Sequence, residues 1–367
     1  MKNNKNIIVF LTIILLIFFK NTFAEEFYFE TPELEVLDNG RLLKTDKGGK
    51  VTTDTKTEIT ANKFEFDKST SILKATNNAK INDNLNNISI YADEIKYNKL
   101  TSIITANTKV KVDDDTNKLN IKADEIKYNK LTSIITANKN VEIIDDVNKI
   151  NIKADEVIFD KITSIITANN NVEVIDFSNK VLIKGNKIIY VKNKEEIFTK
   201  ENTQIFIGKQ YHIKSDDIIF LKNENKIFSE KFTTLKDNKN QNFYTVEKFR
   251  YFVKEKLFRG KKIKLLTKSE DEYLFDDGLI NLATNEMEGK DLEANFTKNK
   301  FGNNKNEPRL KGNNAFNNSK VTKISKAVFT TCKRRDNDKC PPWVIQAKEA
   351  KHDKEKKIIF YKNAWLK

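Results

Sequence analysis

One sixteen-residue stretch, ADEIKYNKLTSIITAN, occurs twice without a change, at 92–107 and at 123–138. A third copy, ADEVIFDKITSIITAN, spans 154–169. Looser copies begin at Ala61, Gly185 and Ser215, so the anchors at 61, 92, 123, 154, 185 and 215 are 31, 31, 31, 31 and 30 residues apart. A fixed period of this length means one supersecondary unit stacked several times, each too small to bury its apolar face alone.

Within the copy over 121–145, Ile121 and Ala123, then Ile126 and Tyr128, are apolar at alternate positions, with Lys122, Asp124 and Lys127 between them. That is the period-two pattern of a half-buried strand. Its phase slips by one residue at Asp124-Glu125, which predicts a bulge or bend there. Residues 129–133 are polar and read as a turn. A second alternating run, Ile135, Ala137, Val141 and Ile143, is interrupted by a kink at Asn138-Lys139-Asn140. Each unit therefore supplies two or three short antiparallel strands with one apolar face. Stacked units build a long twisted sheet that must fold over itself or meet a second sheet. An elongated antiparallel jelly roll and a β-solenoid are the two solutions. The inward set, taken from Ile95, Tyr97, Ile104, Val110, Val112, Ile126, Tyr128, Ile135, Val141, Ile143, Val157, Phe159, Val172 and Val174, either fills an ordinary core or lines a trough that takes a lipid.

The chain begins with Lys2 and Lys5, an apolar run over 7–19, and Thr22-Phe23-Ala24 before Glu25. This is the order of a secretory signal, and the apolar run is shorter than the about 20 residues a membrane span needs. Residues 1–24 read as a cleaved leader, or alternatively as an uncleaved anchor. All four prolines lie at 32, 308, 341 and 342, leaving the long middle free for unbroken strands. The repeats occupy about 59–230. Beyond them, 243–295 continues as strands without the sharp period, and 301–319, rich in Asn, Gly and Lys, reads as a loop. The last strands are expected near 343–347 and 358–366, and the first pair near Phe27, Phe29, Leu34 and Val36. The net charge is +14. Export argues against nucleic acid; an anionic partner and protection of strand edges by lysine both account for the charge.

The search for chemistry returns little. His212 and His352 stand far apart, neither beside a Cys or a second His at ligand spacing, and both read as surface residues. Asp113-Asp114-Asp115 lacks the spaced ligands and glycine of a calcium loop and reads as a solvated turn. No phosphate loop, nucleophile elbow or HExxH is present. The Asp-Glu pair recurs in every exact unit, so it reads as structural. The expectation is a chain with no catalytic residues, cofactor or metal. Cys332 and Cys340 are the only cysteines. In an exported chain they pair with each other across the short loop, or with cysteines of another chain or of a further domain.

The leader, the repeated I-K-A-D-x-I-x-Y unit and three C-terminal segments together resemble one family. The segments are FGNNKNEPRLKGNNA (301–315), KAVFTTC (326–332) and CPPWVIQAKEAKHDKEKKIIFYKNAWLK (340–367). They look like the junction that leads into the outer-membrane barrel of the lipopolysaccharide-assembly protein LptD, and the repeats resemble the OstA-like fold of that family and of its periplasmic relatives LptA and LptC. The resemblance implies a leader at 1–24, an OstA-like jelly roll over 25–300 and a junction segment over 301–367. Members continue for several hundred residues into a barrel, whereas this sequence stops at Lys367. Any interdomain disulfide of other members therefore does not carry over.

The resemblance implies a periplasmic domain, associated with the outer membrane, that receives the acyl chains of lipopolysaccharide in a hydrophobic trough. Its implied partners are an LptA-like bridge protein added at an edge strand, and an LptE-like lipoprotein with the barrel in the complete assembly. Two alternatives stand beside it: a free-standing LptA- or LptC-like bridge protein, and a repeat-built extracellular structural or adhesin protein.

Overall fold

A computed structural model describes residues 26–298, 303–334, 341–356 and 358–367. The leader expected at 1–24 and Cys340 lie outside the described residues. The chain divides into two compact units, Met1–Thr116 with Lys127–Thr132, and Asn117–Ile126 with Ser133–Lys367. The described residues of each are almost entirely β-strand.

In the repeats each 31-residue unit forms two long strands, not two or three short ones. The first unit contains β1 (Phe27–Glu30), β2 (Glu35–Leu37), β3 (Leu42–Thr45), β4 (Gly49–Thr53), β5 (Thr57–Ala61), β6 (Lys63–Asp67), β7 (Ile72–Asp83), β8 (Ile88–Asn98) and β9 (Ile103–Asp114). β10 (Leu119–Asn129) is shared by the two units. The second unit continues with β11 (Ile134–Asp145), β12 (Ile150–Asp160), β13 (Ile165–Asp176) and β14 (Val181–Val191). Neighbours in these series pair antiparallel, β7 with β8 and β8 with β9, then β11 through β14 in order. Antiparallel hairpins rule out the parallel coils of a solenoid within either unit.

Every long strand is bent in the middle. In β7, β9, β11 and β13 the bend is a pair of left-handed residues: Asn77-Asn78, Thr108-Lys109, Lys139-Asn140 and Asn170-Asn171. In β8 and β12 the register slips at the facing position, between Tyr91 and Glu94 and between Lys153 and Glu156. The bend inverts the alternation, so the two arms of one strand turn their apolar residues to the same side: Ile150, Ile152 and Ala154, then Val157 and Phe159, are all buried. Within each unit the arms thus form two facing walls joined along a spine of bends.

The shorter strands show the same division. β7 pairs with β5 through 80–83 and with β6 through 72–76. β14 pairs with β16 (Thr203–Ile207) through 181–184 and with β15 (Glu196–Lys200) through 187–191. From there β17 (Tyr211–Ser215), β20 (Thr233–Asp237) and β21 (Asn242–Val246) extend the first wall, and β18 (Ile219–Leu221), β19 (Lys226–Ser229) and β22 (Lys248–Phe252) the second. β23 (Leu257–Leu266) rejoins both walls, pairing with β21 and β22. The meander then runs through β24 (Glu272–Asn281), β25 (Met287–Asn295), β26 (Arg309–Asn317), β27 (Val321–Thr330), β28 (Ile345–Asp353) and β29 (Ile358–Leu366). The fold class is all-β, an antiparallel two-walled jelly roll.

Three local expectations are corrected. Within the stretch expected as a loop, 309–317 is β26, whose inner face is small, with Gly312 buried and Ala315 half-buried, so no apolar alternation is visible. β1 and β2 do not pair with each other; β1 pairs with β4 and β2 with β3. His212 is half-buried, stacked on Phe206 with ring centroids 4.4 Å apart, and bonded to Gln204 at 3.0 Å.

Past the repeats the spine is packed differently. Gly260, Gly278 and Gly289 face one another across β23, β24 and β25. A Cβ on Gly278 would stand 2.6 Å from Ile263 Cδ1, and one on Gly289 only 2.1 Å from Phe275 Cδ1. Large side chains from beyond the bend lie across this glycine row and fill the space. Gly289→Ala therefore overpacks the core and is expected to cost about 1–3 kcal/mol. Urea denaturation checks this, and a second change, Phe275→Leu, should recover most of the loss.

Candidate functional site

The fourteen residues proposed to line a trough all point between the walls, and none exposes more than 2% of its surface. Ile95, Tyr97, Ile104, Val110, Val112 and Tyr128 belong to the first unit. Ile126, Ile135, Val141, Ile143, Val157, Phe159, Val172 and Val174 belong to the second. Their burial follows from the bend: Val141, Ile143, Val172 and Val174 lie in arms of the first wall, and Ile135, Val157 and Phe159 in arms of the second. At these positions the protein's own side chains occupy the interior.

The recurring Asp-Glu pair stands outside, on the spine. Both acids of each pair fall where the alternation slips, so neither turns inward. They bind the facing bend: Lys139 Nζ donates to Glu125 at 2.6 Å, Asn140 Nδ2 to Asp124 at 2.7 Å and Asn171 Nδ2 to Asp155 at 2.6 Å. Lys74 and Lys96 meet Glu94 at 2.8 and 3.0 Å, and the Lys74 bond leads in holding that carboxyl below its ordinary range.

In each unit the opposite side, where the free ends of the two walls approach each other, is the rim. Its turns carry a second set of carboxylates whose burial the sequence reading did not anticipate. Asp83, Asp114, Asp145 and Asp176 recur every 31 residues, and all four are buried. Asp114 was expected in a solvated turn, yet its side chain turns inward. Each caps its turn, accepting for example the backbone N–H of Asn148 on Asp145 at 3.1 Å and of Asn179 on Asp176 at 3.2 Å. The period itself was the signal that would have found them.

These carboxylates also bridge to the other wall. In the first unit Tyr128 Oη donates to Asp83 at 3.4 Å, and Lys130 Nζ reaches Thr57 at 2.7 Å and Thr55 at 3.3 Å. In the second, Tyr190 Oη donates to Asp145 at 2.9 Å and accepts from Asn148 Nδ2 at 2.8 Å. Lys192 Nζ stands 3.3 Å from Asp145, both side chains nearly buried, and Lys222 Nζ stands 3.4 Å from Asp176 and donates to the Asn148 carbonyl. Ser164 Oγ donates to Asn117 at 2.8 Å. Burial first, and the facing carboxylate second, raise the pKa of Tyr128 and Tyr190, so both phenols stay protonated donors. The spine is continuous backbone, whereas these rim links between the walls are side-chain bonds of about 1–3 kcal/mol each.

The rim turns also expose apolar residues at their tips: Leu85, Leu100 and Leu131 in the first unit, Val147, Ile162 and Phe177 in the second. Leu131 and Ile162 are each 75% exposed. Asn129 and Asp160 hold these tips by accepting the backbone N–H groups of Leu131 and Ile162 at 3.0 and 2.9 Å.

Elsewhere in the second unit, a cavity of about 490 Å³ lies over Gly278 and Gly289, bordered by Arg259, Lys290 and Lys323 and by Asp277, Glu288 and Glu349. Its charges balance. Arg259 grips Asp277 (Nη2 to Oδ2 2.9 Å, Nε to Oδ1 3.3 Å) and Lys261 adds a bond at 2.6 Å. Among the described residues no group of three His, Cys, Asp or Glu side chains stands ready to hold a metal. Cys332 is half-buried, its Sγ 3.9 Å from the Trp343 carbonyl.

No family model matches the chain, and no curated protein matches it. Among the solved structures that match is the crystal structure of LptH, the LptA homologous periplasmic component of the conserved lipopolysaccharide transport device from Pseudomonas aeruginosa. It is 14% identical, covers 33% of this chain and 95% of its own, and superposes with a TM-score of 0.30.

Two outcomes follow from the charge geometry. Asp145→Ala leaves Lys192 buried without its carboxylate and is expected to cost about 3–5 kcal/mol, against about 1–2 kcal/mol for Tyr190→Phe, which removes one donor; urea denaturation measures both. The bonds from Arg259 lead in lowering the Asp277 carboxyl from 3.8 to about 2. The unfolded chain therefore binds that proton more readily. The stabilisation is complete above the ordinary carboxylate value and lost as pH falls through about 4 to 2. Over that window the native protein should lose about 1 kcal/mol more than Asp277→Asn, after allowance for solvent screening. Equal slopes in denaturation series at stepped pH would contradict this.

Proposed function

We propose that this chain is a non-catalytic periplasmic domain of the OstA-like type, which shields the acyl chains of lipopolysaccharide between its two walls and passes the lipid toward the outer membrane. One observation carries the reading. The inner faces of both walls are continuously aliphatic and aromatic through the repeats, and the buried carboxylates of the repeats stand at the rim. Each buried CH₂ contributes ~0.8 kcal/mol, so a C12–C14 chain costs about 10 kcal/mol to leave in water. A lipid with several such chains needs a dry passage. Carriage then consists of exchanging side-chain contacts between the walls for contacts with acyl chains.

The proposal extends to localisation and partners. It places the domain in the periplasm behind a cleaved leader at 1–24, with the jelly roll over 25–300 and a junction over 301–367. An LptA-like bridge protein joins by strand addition at a sheet edge, and an LptE-like lipoprotein and a barrel complete the assembly. Cys332 and Cys340 pair with each other.

The filled interior favours a second reading, in which the repeats serve only as a rigid spacer of a surface protein. Photo-crosslinking in cells separates the two. A diazirine amino acid at inward Phe159 should yield a lipopolysaccharide adduct, and the same probe at outward Ile158 none. Adducts at neither position would remove the transport reading and leave the spacer.

A further inference from the structure

The two long sides of the jelly roll are closed by different means. At the spine each long strand runs from one wall to the other, and the recurrent acids pair with the facing bend. Parting the walls there would break the backbone ladders of both. At the rim the links just described are side chains: Tyr190 and Lys192 on Asp145, Lys222 on Asp176, Ser164 on Asn117. Rotating these side chains separates the walls without breaking a strand pair.

The chemistry of the rim turns is the second, independent observation. A turn tip held by an Asx bond requires no apolar residue, yet Val147, Ile162 and Phe177 stand exposed on consecutive tips of the second unit. Exposed lysines accompany them at 118, 149 and 180 on the first-wall turns, the first two sharing their turns with exposed Asp115 and Asp146 and Lys180 standing without an exposed acid in its turn. Apolar tips with ammonium groups beside them fit a phosphorylated lipid, whose chains pass between the tips while its phosphates meet the lysines.

We propose that the rim is a lateral slot for the acyl chains of an anionic lipid, held shut in the empty protein by side-chain latches on the recurring aspartates: Tyr128 on Asp83, Tyr190 and Lys192 on Asp145, and Lys222 on Asp176. The slot rests on the lipid-carrying reading and adds the side of the fold through which the chains pass. The latches do two jobs. They keep water out of the empty interior, and they break one at a time, so the walls part locally over one turn while neighbouring turns stay closed.

The test uses the full chain and the fluorescent probe 11-(dansylamino)undecanoic acid. Two forms are compared with the parent. Tyr190→Phe with Lys222→Met loosens the latches, and Asn117→Cys with Ser164→Cys, oxidised, locks the two lips. Hydrogen exchange read on the same samples confirms that each form is folded and reports opening over 141–145. The loosened form should exchange about tenfold faster there than the parent and bind the probe about fivefold more tightly. The locked form should bind none until reduced, with the parent reduced in parallel as its control. A folded locked form that binds as well as the parent overturns the slot while leaving lipid carriage in place. Failure of every form to bind the probe, with rim exchange still rising in the loosened one, removes the lipid reading and the slot with it.

Discussion

The structure depends on a two-residue event in the middle of each strand. A strand that alternates without interruption shows one apolar face to one side, and a stack of such strands makes a single sheet with a face it cannot cover. Two consecutive left-handed residues, such as Lys139-Asn140 or Asn170-Asn171, shift the alternation by one and turn the chain. Both arms then present their apolar residues to the same interior, and one sheet becomes two walls. The left-handed conformation is costly for residues other than glycine and least so for asparagine, which occupies five of the eight positions in β7, β9, β11 and β13. The cost is offset by the burial it permits, since each of these strands commits two or three large side chains to the core.

The bend also decides where polar groups go. At the spine two successive residues of the neighbouring strand face outward, which is why Asp-Glu recurs there and why its partners are the Lys and Asn of the next bend. At the rim the strand ends with an inward residue just as the chain must turn. An aspartate there caps the turn through its carboxylate while its Cβ stays in the line of buried residues. Such a carboxylate is unfavourable unless fully bonded. The other wall supplies the missing donors, with Tyr128 reaching Asp83 and Tyr190 reaching Asp145 across the same separation of 45 residues. The offset exceeds one repeat because twisted walls bring the end of one strand over the end of another further along the stack.

Much of this was legible in the sequence, because the information is periodic. The anchors, the alternation, the slip at Asp124-Glu125 and the kink at Lys139-Asn140 all correspond to features of the fold. So does the structural role of the repeated acids. β26 was missed because its inner residues are glycine and alanine, which carry no apolar signal and are chosen for close packing beside Ile324. The partners of β1 and β2 were missed because strand pairing at the start of a stack is set by tertiary register rather than local pattern. Asp114 was misplaced because three acids in a row read as solvated. Its burial shows only when it is aligned with Asp83, Asp145 and Asp176. All fourteen candidate residues face inward, but whether such a set encloses a void or a packed core depends on the distance between the walls. No pattern along one strand encodes that distance.

A packed interior and a lipid-carrying one are less opposed than they look. What is at stake in opening is the difference between one set of apolar contacts and another, since an acyl chain replaces the neighbours that a separated Phe159 or Val172 loses. The uncompensated terms are then the rim bonds, about 1–3 kcal/mol at each turn, together with strain in the bends. A C12–C14 chain gains about 10 kcal/mol on leaving water, which exceeds the cost of one or two latches. It does not exceed the cost of breaking many at once. On these magnitudes opening by a lipid is favourable locally and unfavourable along the whole rim. Under the proposed lipid-carrying function, such a balance would move a ligand turn by turn along a repeat, with the walls closing behind it.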